Sequence, residues 1–122
     1  MNFNHLIWVG LGGMLGSMLR YTAGIIIKSY SFPFSTLTVN FLGSFIIGAL
    51  FALAMKHSPF HESRLWFFLV TGVCGGFTTF SALSLESFRM LQQERFGTFF
   101  LYIGLSILLG LAATFAGYRI FK

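Results

Sequence analysis

Charge is scarce in this chain. Only 9% of its 122 residues are charged, and three of them are acids. An average soluble domain carries about 25% charged residues. With 56% hydrophobic residues and 17 phenylalanines, the chain holds more apolar surface than a soluble fold of this length can hide. It is therefore read as an integral membrane protein. Cysteine is rarer still: the lone Cys74 has no partner for an intrachain disulfide and is read as a buried structural thiol. Catalytic constellations are also missing. His5, His57 and His61 lie near helix ends or in a loop. His57 and His61 stand four apart, but Ser58 and Pro59 intervene and no HExxH-type motif is present. No nucleophile stands with a base and an orienting group, so the chain is not read as an enzyme. There is no soluble domain, linker, low-complexity tract or internal repeat.

The long apolar stretches number four, at about residues 4–27, 35–55, 65–89 and 97–120. Crossing a hydrocarbon core takes about 20 helical residues, and each stretch reaches that. The first is too long for a signal peptide, has no basic residue ahead of it and no hydrophilic domain behind it. The connections are short, around Tyr30–Pro33, Lys56–Ser63 and Gln92–Phe96. The +5 charge does not point to nucleic acid, because the cations are scattered singly near helix ends. Four spans place Lys56, Arg64, Arg119 and Lys122 on one side, and Arg20, Lys28, Arg89 and Arg95 on the other. The positive-inside rule needs an excess, and there is hardly one. Either the chain inserts both ways and the two forms pair antiparallel, or the loops are too short to show a bias. A bundle of four helices packs its own core, so any route for a solute is expected at a subunit interface.

Polar groups in hydrocarbon are costly unless paired or turned toward water or protein. The first span carries Gly12 and Gly16, a GxxxG pair for close helix approach. Arg20 follows, either snorkelling to the interface or facing a polar interior. In the second span Thr36, Asn40, Ser44 and Gly48 recur every four residues and form one stripe. Asn40 is read as interhelical glue, with its NH2 as an anion donor the alternative. The last span repeats the pattern with Thr98, Tyr102, Ser106, Gly110 and Thr114. The third span holds "GGFTT", where weak helix formers predict a break. Freed backbone groups are tolerated at that depth only inside protein or a polar cavity, and such carbonyls can hold Na+.

Three segments together resemble the signature of one family. "GGMLGSMLRY" at 12–21, "STLTVNFLGSFIIG" at 35–48 and "GVCGGFTTFSALS" at 72–84 are similar to the three signature segments of the Fluc family, also called CrcB, the bacterial fluoride channels. The resemblance covers essentially the whole chain. It implies an all-α integral membrane protein, with one four-helix transmembrane domain over residues 1–122 and a third helix broken mid-membrane. It further implies an antiparallel dual-topology homodimer in the cell inner membrane, with two fluoride pathways lined by both subunits and a central structural Na+. The implied function is passive export of fluoride from the cytoplasm.

Residue by residue, the resemblance assigns the backbone carbonyls of Gly75 and Thr78 to Na+, and Asn40 and Thr36 to the pathway. Phe80 matches the first of two phenylalanines whose electropositive ring edges face fluoride, and Leu83 stands in place of the second. Tyr102 and Ser106 match a polar track on the last helix, whose next position here is Gly110. Arg20 and Glu86 also match typical family residues. The rival reading is a small dual-topology proton-coupled multidrug exporter. That class needs an acid deep in the first span, and the first span has none.

Overall fold

The computed structural model describes residues 3–28 and 31–122. Tyr30, in the first expected connection, lies outside the described residues. All regular elements among the described residues are helical. The first apolar stretch forms α1, Phe3–Ile26, and the second forms α2, Phe34–Lys56. A 3-10 turn, Ser58–Glu62, carries Pro59 near its start, and Ser63 then caps the next helix by accepting from the Trp66 N–H at 3.1 Å. That helix, α3 (residues 64–77), has three pieces: a turn Arg64–Trp66, a π-helical stretch Phe67–Cys74 and a turn Gly75–Phe77. After Thr78 and Thr79 the chain re-enters a helix, α4, Phe80–Gln92. A tight turn with Glu94 at φ 56° leads into α5, Phe96–Phe121.

Three helical stretches, Phe34–Lys56, Arg64–Gln92 and Phe96–Phe121, are long and apolar enough to cross a membrane. The 24-residue α1 is long enough too, but Asn4, His5, Arg20 and its glycines dilute its apolar character. The four expected spans are thus three strongly apolar ones and one more polar one.

The helices pack in two pairs, α1 against α3 and α2 against α5, with α4 resting on α5. Small residues make both seams. A Cβ on Gly12 would fall 2.2 Å from Phe68 O, and one on Gly117 2.1 Å from Phe45 O, so backbone lies on backbone. The buried side chains are mostly small, Val39, Ala49, Ala52, Ala54, Cys74 and Ala113 among them, and Tyr102 is the one large fully enclosed ring among the described residues. The bulky side chains point outward instead, Phe100, Leu111 and Phe115 among them. In water such a surface would be an aggregation liability. In lipid it is the solvated face, and small-residue seams hold the bundle because lipid offers no hydrophobic drive between helices.

Candidate functional site

The interruption between α3 and α4 organises the site. Thr78 and Thr79 have extended dihedrals, with ψ of 154° and 118°. The helical ladder therefore fails across them, and each freed group must find another partner. Asn40, from the middle of α2, supplies two. The Thr79 N–H donates to Asn40 Oδ1 at 2.8 Å, and Asn40 Nδ2 donates to Thr79 O at 3.2 Å. Thr79 also caps α4, its hydroxyl accepting from the Ala82 N–H at 3.1 Å. On the other flank Arg20 Nε donates to Gly76 O at 3.1 Å. Arg20 thus faces the interior, which resolves the choice between snorkelling and a polar partner.

Two of these contacts divert the helical donors of carbonyls in the third helix. Gly75 O would take the Thr79 N–H in a continuous helix, but that donor goes to Asn40. Thr78 O would take the Ala82 N–H, which goes to the Thr79 hydroxyl. Gly75 is exposed, and a Cβ there would meet only Val70 O, at 3.8 Å. Carbonyl oxygens that have lost their helical donors suit a hard monovalent cation or a protein donor, not lipid.

Beside the interruption lies an open cavity of about 260 Å³, lined by Asn40, Ser44, Thr78, Thr79, Phe80 and Leu83 among others. Phe80 stands 80% exposed at its rim. Leu83 is half-buried one turn on. Gly110 of α5 faces the same helix, since a Cβ there would lie 3.8 Å from Ser44 Oγ. The gap in the α5 stripe is thus met by a hydroxyl from α2. Ser44 was visible in its own stripe, but its neighbour on another helix was not.

A second polar cluster sits one helix over. Both oxygens of Glu86 accept hydroxyls, from Thr36 at 2.6 Å and from Tyr102 at 2.8 Å. Tyr102 is fully buried, with Phe32 edge-on at 5.4 Å. Read along the chain, Glu86 lies near a helix end. In space it is the hub that joins α2, α4 and α5. Ser106 differs from its neighbours in the stripe: its hydroxyl is buried and has no hydrogen-bond partner among the described residues. Serines in helices commonly bond back to their own carbonyls, as Thr114 does to Gly110 O at 3.1 Å, so the free Ser106 hydroxyl stands out.

Thr36 and Glu86 also line a larger cavity, about 510 Å³, together with Lys28, Arg89 and Arg95. Three cations against one carboxylate give this mouth a net positive field, which concentrates anions.

The family described as CrcB-like protein, Camphor Resistance (CrcB), matches residues 7–118. A relative from Flavobacterium psychrophilum, named fluoride-specific ion channel FluC, is 44% identical over 120 residues, covering 96% of each chain. One of the same name from Thermus thermophilus is 48% identical over 115 residues, 92% of this chain and 90% of the relative. A third, from Leptospira interrogans, is 41% identical over 126 residues, covering 100% of this chain and 98% of the relative.

Proposed function

The chain belongs to the CrcB family, and we propose that, like the relatives named fluoride-specific ion channel, it is a multi-pass membrane protein that conducts fluoride and relieves fluoride toxicity. It is a channel rather than an enzyme. We further propose that it acts as an antiparallel homodimer in the inner membrane, each copy broken mid-membrane between α3 and α4. The observation that carries this reading is the cavity where Asn40, Phe80 and Leu83 meet the interrupted backbone.

The chemistry follows from what each group has left to offer. Fluoride is small and strongly hydrated, so a narrow path must replace its water with donors. An Asn amide has two N–H donors. Asn40 uses one on Thr79 O, so it both holds the interruption open and keeps one donor for an anion. The Ser106 hydroxyl is unengaged and is the natural next donor. Thr36 and Tyr102 donate their hydroxyl hydrogen bonds to Glu86. Their first task is to keep that carboxylate occupied, which blunts its repulsion of an anion in the cation-lined cavity. Phe80 can offer a positive ring edge, a weak site that holds an ion without trapping it, as conduction requires.

A second copy supplies what one chain lacks. Exposed Phe80 and uncovered Gly75 would otherwise face lipid, and an unsatisfied carbonyl there costs several kcal/mol. The fit extends to Na+, because the carbonyls of Gly75 and Thr78 are the ones whose helical donors are diverted. When bound, that ion would supply a fixed positive charge tying two interrupted helices together. The rival exporter reading has no acid in α1 to work with.

Fluoride efflux from liposomes holding the purified protein, with chloride as control, tests the function. Selective fluoride efflux is expected. Efflux of neither ion, from protein shown by crosslinking to be dimeric, overturns the reading.

A further inference from the structure

Gly76 lies between the two proposed cation ligands in sequence, and its carbonyl is freed by the same interruption. It does not stay free: Arg20 Nε donates to it at 3.1 Å. The donor is firmly placed. A Cβ on Gly76 would meet Gly13 O at 2.6 Å and Ser17 N at 3.1 Å, and one on Gly16 would meet Phe77 N at 2.8 Å. The α1 backbone therefore lies directly on the α3 backbone one turn before Arg20, and the half-buried side chain has little latitude.

We propose that Arg20 sets the cation preference of the interrupted helix by withdrawing the Gly76 carbonyl from the set of oxygens open to a metal ion. This rests on the Na+ reading above and deepens it. Two physical effects act together. Fewer carbonyls favour the smaller ion, because a larger one needs more ligands to replace its hydration shell. The guanidinium held there also opposes every cation nearby and keeps overall affinity modest. Arg20 touches no permeant ion in this scheme. It is a positioning residue acting through Gly76.

The test is thermal unfolding of the purified full-length protein, titrated with NaCl or KCl at constant ionic strength set by choline chloride. Wild type is expected to be stabilised saturably by Na+ and much less by K+. Arg20→Met removes both the donor and the charge. It should be stabilised by K+ as well, with the ratio of half-saturating K+ to Na+ falling toward one. Arg20→Lys, which can still donate to Gly76 O, should hold the ratio near wild type. Arg20→Leu, likewise without a donor or a charge, replaces Arg20→Met in the comparison if the latter does not assemble. A purely structural role for Arg20 would lower the melting temperature equally in all salts, and an unchanged ratio in the variant overturns the proposal. A wild type indifferent to both cations removes the Na+ reading itself and this inference with it.

Discussion

Replacing Asn40 with alanine removes both hydrogen bonds that hold the interrupted backbone, the 2.8 Å bond from the Thr79 N–H and the 3.2 Å bond to Thr79 O. Polar contacts between membrane helices contribute about 0.6 kcal/mol each on average and up to about 1.7. Two such bonds give an expected loss of about 1–3 kcal/mol. Asn40→Asp separates them. Its carboxylate can still accept the Thr79 N–H but has no hydrogen to give Thr79 O, and it adds a negative charge to the cavity. Its stability should fall at least as far as that of alanine, because a carboxylate oxygen then faces Thr79 O and a charge within the membrane costs about 2.5–3.5 kcal/mol. Fluoride efflux should be abolished in both, by a lost donor in one and by repulsion in the other. The assays are reversible unfolding in detergent and ion efflux from liposomes. If Asn40→Ala unfolds with wild-type stability, the clamp on Thr79 is not what shapes the interruption, and the argument built on it fails.

Ser106→Ala deletes a buried hydroxyl with no partner among the described residues, so stability should hold or rise, by up to about 1–3 kcal/mol, while fluoride efflux slows; an unchanged rate would remove Ser106 from the path. Leu83→Phe restores a ring edge beside the 260 Å³ cavity and should speed fluoride efflux by up to about tenfold, the equivalent of one aromatic contact, with chloride still excluded. Gly117→Ala drives a methyl to within 2.1 Å of Phe45 O and should cost about 1–3 kcal/mol by prising α2 from α5. Gly97→Ala meets nothing within 4 Å and should be neutral or stabilising by about 0.5–1 kcal/mol, both read by thermal denaturation.

Much of the helix layout was legible because the bilayer writes it into hydropathy. The apolar stretch at 35–55 became Phe34–Lys56, and that at 97–120 became Phe96–Phe121. The stripe through Thr36, Asn40 and Ser44 likewise survives as one face turned toward α4 and the cavity. What stayed hidden are pairings between distant residues. Nothing along the chain joins Arg20 to Gly76, 56 residues away, or Glu86 to Thr36, 50 away. Periodicity reports which face a residue occupies, not which atom waits across the gap. The two readings of Asn40 also turned out not to compete. Its amide has enough valence to join two helices and still keep one N–H. The π-helical stretch left no trace either, since Phe67–Cys74 is as apolar as any buried α-helix.

That π-helical stretch changes how the chain tolerates altered length. Each α-helical residue advances the side chains by about 100°, whereas a π turn holds more residues than the 3.6 of an α-helix. Phe67–Cys74 therefore carries surplus chain within the ladder, as the Gly75 N–H bonding to Val70 O shows. Dropping a single residue there would let the stretch relax into an ordinary α-helix with better hydrogen bonds, so the fold need not suffer. Everything downstream would nonetheless keep its phase relative to α1 only if the surplus were removed whole. A deletion at this point is thus a dial on azimuth: it can turn Gly75 and Thr78 away from their present heading while leaving every helix intact.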